Sequence, residues 1–226
     1  MKQILPQIST FTNLLIGRVY LLEDADGLTL VDTGLASAGT KIIKQLIIAG
    51  HKPSDVKRIL ITHAHLDHVG CVGMLRAATG AEVWCHALEK PVIEGVISVP
   101  RREKKPRVAE SHFEPTPVAR TLSDGELLPI LGGLQVVFTP GHAPGHLSFW
   151  HPQRRFLITG DVIFYMFNRM TLPMAIATVD MDEDRRSIQK ILDLRPEALL
   201  FGHGEPMLTN ALPTLQKFAA RIGIPA

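Results

Sequence analysis

The stretch I-L-I-T-H-A-H-L-D-H (59–68) runs an apolar segment straight into three histidines and an aspartate. The preceding V-K-R-I-L-I-T (56–62) is too short for a typical helix and reads as a buried central strand. The polar cluster is therefore delivered at a strand end, close to Gly70. Strand ends beside glycines are where a rigid scaffold can aim side chains into one cleft. The arrangement returns three times: His142 follows V-V-F-T-P-G, Asp161 follows L-I-T-G, and His203 follows A-L-L-F-G. A fold that accommodates this chain must bring four strand ends together.

The rest of the pattern supplies the other elements. Strands are predicted over 13–23 and 28–34, with the turn D-A-D-G between them, and over 81–85, 134–139, 147–150, 155–159 and 198–201. Helical spacing covers 36–50, 69–78, 182–194 and 210–222. Strands followed by helix-strand-helix appear once before residue 90 and again after 120, which suggests two similar halves of one domain spanning 1–226. Residues 91–117 hold five prolines and the cluster R-R-E-K-K-P-R (101–107), so they are expected to form an exposed irregular loop.

Composition narrows the class. A formal net charge of +2 does not point to nucleic acid as the main partner. The start M-K-Q-I-L-P lacks a signal peptide's apolar region, and no run reaches the ~18 apolar residues of a membrane span. Cys71 and Cys85 are too few for a disulfide framework and lack metal-ligand spacing. A cytoplasmic protein acting on a small molecule is the expectation.

His63, His65, Asp67, His68, His142, Asp161 and His203 make five imidazoles and two carboxylates. Zinc takes about four ligands, and a catalytic site leaves one position open, so this set overfills one ion and suits two. A carboxylate can bridge two metals, and Asp161 is the candidate bridge. Imidazole-rich ligation without thiolate favours zinc, with iron or manganese also fitting. His51, His112 and His151 stand apart from the pattern and are read as surface or satisfied core histidines.

H-A-H-L-D-H (63–68) resembles the H-x-H-x-D-H signature of the metallo-β-lactamase superfamily. V-D-T-G (31–34), T-P-G-H-A-P-G-H (139–146), T-G-D (159–161) and G-H (202–203) resemble its other motifs, in order. The resemblance implies an α/β fold, a four-layer αββα sandwich of two mixed sheets flanked by helices. It also implies that His63, His65 and His142 hold one metal, Asp67, His68 and His203 a second, and that Asp161 bridges. Asp32 resembles the family's buried acid that steadies the site, or else caps the following helix. His146 lies in the third motif and is expected to act structurally or behind the ligands.

Two cations roughly 3.5–4 Å apart can bridge a water and lower its pKa enough to give hydroxide near neutral pH. Asp67 would orient that water and could pass its proton on. Asp161 resembles the bridging acid of glyoxalase II-like thioester hydrolases and of lactonases, so hydrolysis of an ester, thioester or lactone is expected. Glyoxalase II enzymes carry an extra C-terminal helical region; only 23 residues follow His203, which weighs against glutathione thioesters. The alternatives are a mononuclear iron persulfide dioxygenase and a nuclease of the same superfamily. Phe164 and Tyr165 are candidate substrate contacts, although Tyr165 is more readily read as a packing aromatic. The Met- and aromatic-rich 164–174 suits a pocket wall, core packing or a homodimer contact. The cluster 101–107 suits a solvated loop or an anionic ligand.

Overall fold

The computed structural model describes residues 1–100 and 113–225. In it the run before His63 becomes one strand of a seven-stranded sheet. In sheet and chain order these are β1 (Lys2–Leu5), β2 (Ile8–Thr10), β3 (Tyr20–Asp24), β4 (Gly27–Val31), β5 (Val56–Leu60), β6 (Glu82–His86) and β7 (Arg120–Leu122). Pairing is antiparallel from β1 to β4 and parallel from β4 to β7. Parallel neighbours need crossovers. Helix α1 (Gly39–Ile48) links β4 to β5, and α2 (Leu66–Val69) with α3 (Val72–Thr79) links β5 to β6. Leu28 and Leu30 of β4, Ile59 of β5 and Val83 of β6 share a core with Ile42 and Leu46 of α1 and Val72 and Leu75 of α3. Each such side chain, fully buried, contributes roughly 1.5–3 kcal/mol.

Those elements, with the turn α4 (Lys90–Ile93), belong to one compact unit of the chain. The second unit carries β8 (Leu127–Leu128), β9 (Leu134–Phe138), β10 (Leu147–His151), β11 (Phe156–Gly160), the hairpin of β12 (Phe164–Met166) and β13 (Arg169–Thr171), α5 (Met181–Asp193), β14 (Ala198–Phe201) and α6 (Ala211–Arg221). Its five-stranded sheet runs β14-β11-β10-β9-β8, antiparallel except for the parallel pair β11–β14. Leu157, Leu199 and Phe201 share a core with Ile188 and Ile191 of α5 and Leu215 and Phe218 of α6. Asp180 caps α5 by accepting from the N–H groups of Asp182 and Glu183. Both sheets are mixed and both units carry helices, as the α/β expectation required.

Several features depart from the sequence pattern, the unpredicted β7, β8, β12, β13 and α4 among them. The single strand expected over 13–23 begins only at Tyr20, and two N-terminal strands that the pattern missed, β1 and β2, precede it. The helix expected over 69–78 begins only at Val72, as α3, because Cys71 leaves the helical conformation (φ −121°, ψ 22°); the short α2 precedes it, and Gly70 between them runs close to other backbone. A Cβ there would lie 2.5 Å from the Leu66 carbonyl and 2.6 Å from the Ala36 nitrogen. Within 91–117, expected to be exposed, Val92, Ile93 and Thr116 are buried, and Thr116 N–H donates to the Ile93 carbonyl. Residues 101–107 lie outside the described residues. Among the described residues no helix is long and apolar enough to cross a membrane.

Candidate metal centre

In the first unit the donors sit where β5 ends and α2 begins. His63 is fully buried, and its Nε2 lies 3.1 Å from His65 Nδ1. Two nitrogens each ~2.0–2.1 Å from one tetrahedral ion would stand about 3.3 Å apart, so this pair has the spacing of shared ligation. The His63 and His68 rings lie 4.1 Å apart between centroids, and His68 Nε2 is 3.8 Å from Asp67 Oδ2. Ligand atoms of His63 and His65, of His63 and His68, and of Asp67 and His68 come within 4.8 Å of one another.

Asp32 orients two of these rings. It sits just past β4, buried, with φ at +62°, an uncommon conformation for a residue with a Cβ. Its carboxylate accepts from the Thr62 N–H (2.8 Å), from the Thr62 hydroxyl, and from His68 Nδ1 (2.8 Å). The proton is therefore on His68 Nδ1, which leaves Nε2 as its basic nitrogen. The Thr62 hydroxyl, already donating to Asp32, accepts from His63 Nδ1 at 3.0 Å and fixes Nε2 as that ring's basic nitrogen too. Burial pushes the Asp32 carboxyl above its usual range, while the partner His68 opposes that shift. Of the two roles open to Asp32, the contacts favour the steadying acid.

In the second unit two imidazoles converge on one carboxylate oxygen. Asp161 Oδ2 lies 3.5 Å from His142 Nε2 and 3.1 Å from His203 Nε2. Asp161 and His203 follow the paired strands β11 and β14. His142 Nδ1 lies 3.1 Å from the Thr178 hydroxyl, which donates to the Met174 carbonyl. Thr178 therefore accepts from Nδ1, and Nε2 is again the basic atom.

His146 is fully buried, and its Nε2 accepts from the Asp161 N–H at 2.9 Å. That nitrogen must be unprotonated, so Nδ1 carries the proton and donates to Thr139. The relay continues through Ser148 to the Thr159 carbonyl. His146 is thus a neutral support for Asp161. The Phe164 ring packs on His203 (4.5 Å between centroids) and on His142 (6.3 Å). Tyr165 stacks on Phe201 at 5.6 Å and donates its N–H to the His203 carbonyl. His151 stands apart as expected: it is buried, and its ring accepts from the Arg154 N–H.

Two acids that the sequence pattern did not single out adjoin these loops. Glu89, buried, accepts from the Ala64 N–H at 2.9 Å. Asp184, in the first turn of α5, is fully buried, and its carboxyl is pushed up to about 8, first by burial and then by the charge of Asp161. The loop carrying His142 passes so close to α5 that a Cβ on Gly141 (φ +131°) would lie 2.2 Å from the Asp184 nitrogen. Asp180 N–H and the Ser187 hydroxyl donate to the carbonyls of Gly141 and Pro140, which straps the loop to α5. The donor set, neutral imidazoles with oriented basic nitrogens beside carboxylates, fits divalent metal ions.

Comparison with known proteins agrees with this chemistry. Residues 12–203 match the family model of the metallo-beta-lactamase superfamily. A probable metallo-hydrolase of Bacillus subtilis, YflN, is 27% identical over 85% of this chain and 82% of its own length. A hydroxyacylglutathione hydrolase of Ectopseudomonas mendocina is 33% identical over 52% of this chain, a match that spans only 37% of that relative. The crystal structure of a metallo-beta-lactamase family protein from Thermus thermophilus superposes with a TM-score of 0.77 at 25% identity, covering 97% of this chain and 80% of that one.

Proposed function

The chain belongs to the metallo-beta-lactamase superfamily, and we propose that within it this protein is a hydrolase of ester, thioester or lactone bonds working with two divalent cations, zinc foremost. The observation that carries this reading is Asp161, whose Oδ2 lies within 3.5 Å of two imidazole nitrogens. A carboxylate in that position suits a shared ligand. By the order of the motifs, His63, His65 and His142 would hold one cation and Asp67, His68 and His203 the other, with Asp161 serving both. Relatives named hydroxyacylglutathione hydrolase match part of the chain, which supports counting thioesters among the substrates.

When bound, a cation pair supplies Lewis-acid polarisation of a carbonyl and a lowered pKa for water. The chain's own residues do the rest. Asp67, half-buried in the first turn of α2, orients water and takes its proton at a carboxylate oxygen. The water oxygen bonds to the acyl carbon, and the proton goes to the oxygen or sulfur that leaves as the acyl bond breaks. Asp32 and Thr62 keep His63 and His68 in the tautomer that presents Nε2. His146 holds Asp161, and Phe164 shields His203 from water on one side.

Metal analysis of the purified chain, followed by a screen of lactones, thioesters, phosphodiesters and β-lactams, tests the proposal. About two zincs per chain and turnover of a lactone or thioester are expected. Asp161→Ala should lose metal and turnover together. One iron per chain with oxygen uptake on a persulfide would overturn the reading, as would full metal content and activity in the Asp161 variant.

A further inference from the structure

Between the ligand histidines of H-x-H lies a peptide group that must also be satisfied. Ala64 is 1% exposed, so its N–H is cut off from water and needs an acceptor inside the protein. That acceptor is Glu89, three residues past β6 and itself 2% exposed, whose Oε2 stands 2.9 Å from the Ala64 nitrogen. Glu89 is held from its own backbone. Its carbonyl accepts from Val92 and Ile93 in α4, and its N–H donates to the His86 carbonyl. A carboxylate buried at this depth is costly unless it makes charge-assisted bonds, and those are about twice as strong as neutral ones. Its charge registers on its surroundings: the Cys85 thiol is pushed up to about 12, by burial first and the Glu89 charge next.

We propose that Glu89 is the positioning residue of the H-x-H loop, fixing the peptide between His63 and His65 so that both rings present their nitrogens to one cation. This rests on the metal-centre reading above and adds a residue to it. Asp32 acts on the outer nitrogens of the rings, whereas Glu89 acts on the backbone from which two of them hang. His63 Nε2 and His65 Nδ1 stand 3.1 Å apart, with His65 in an extended conformation, and the Ala64 peptide is the link that sets how the two rings sit. Withdrawing the acceptor leaves a buried N–H unsatisfied and lets the peptide turn.

Three variants of the full-length chain separate position from charge. Glu89→Gln keeps an acceptor oxygen in place, Glu89→Asp keeps the charge but withdraws it by one methylene, and Glu89→Ala removes both. The readouts are zinc affinity by chelator competition and thermal unfolding of the metal-stripped chain. Glu89→Ala and Glu89→Asp should each bind zinc about 10–100-fold more weakly, with Glu89→Gln within about threefold of the parent. If Glu89→Ala fails to fold, Glu89→Asp decides. Variants that fold and bind zinc like the parent would overturn the role of Glu89 while sparing the metal centre. Failure of both Ala and Asp variants to fold would make Glu89 a scaffold residue and overturn the proposal as well. A parent chain that binds no zinc would overturn the metal-centre reading and this inference together.

Discussion

Replacing Gly202 by alanine tests the position of Asp161 without touching any charged group. Gly202 lies directly before His203, and its φ is not among the chain's positive values, so alanine meets no backbone objection there. The obstacle is space: an ideal Cβ would stand 2.1 Å from Asp161 Oδ1, where ordinary contact begins at 3.4 Å. The carboxylate must therefore retreat by about 1.3 Å, the difference between those two distances. Metal ligation tolerates deviations of only about 0.2 Å. Metal affinity should fall at least 10–100-fold, the range seen when support for a ligand is lost. Overpacking should cost about 1–3 kcal/mol, which for a chain of this size lowers Tm by roughly 2–12 °C. Chelator competition gives the first quantity and melting of the metal-stripped chain the second. Gly50→Ala serves as control. Its Cβ meets nothing within 4 Å but its φ is +90°, so it should lose stability and keep its metal. A Gly202→Ala chain with full metal content and unchanged affinity would refute the placement of Asp161 and the role built on it.

Two further outcomes follow from one buried and one exposed acid. Asp32→Asn offers one acceptor oxygen where two are used, so His68 loses the partner that holds its proton on Nδ1. Zinc affinity should drop about 10–100-fold with the fold retained, and an unchanged affinity by chelator competition would sink the tautomer argument. Asp26 pairs with Arg58 at 2.6 Å, and that hydrogen bond is the first cause holding its carboxyl below 3.8. A depressed carboxyl contributes stability above its unfolded value and loses it as pH falls through the folded one. The Tm gap between the parent and Asp26→Asn should therefore stay level down to about pH 4.5 and close below 3.8. The Asp26 side chain is 57% exposed, so the gap is small, and one that persisted at the acid end would contradict the assignment.

The candidate ligands were legible because each follows an apolar strand, and the strand pattern survives in the fold nearly residue for residue at β9, β10, β11 and β14. The N-terminal part was not. N-L-L-I-G is apolar enough to pass for a strand, yet Asn13 and Gly17 take positive φ, and a Cβ on Gly17 would lie 2.3 Å from the Asp67 carbonyl. That contact spans a long stretch of chain, and local propensity carries no trace of it. Glu89 was equally hidden, being one acid in H-A-L-E-K whose partner is a peptide N–H twenty-five positions earlier. Asp184 did carry a signal that went unread. It shares the buried face of α5 with Ser187, Ile188, Ile191 and Leu192, so an acid occupies an apolar position of the helix.

The parallel pairing of β11 with β14 has a consequence for how this chain can change. Asp161 and His203 owe their separation to a sheet register, not to the length of the chain between them. Thr178 and α5 are tied back to the His142 loop, and Tyr165 is tied to His203. The hairpin turn at Phe167 and Asn168 lies outside these ties, beyond the last paired residues Met166 and Arg169, and Phe167 is exposed. That turn can therefore be lengthened or exchanged while the candidate ligands keep their places. Changes of length at that turn leave the register that sets Asp161 against His203 unaltered.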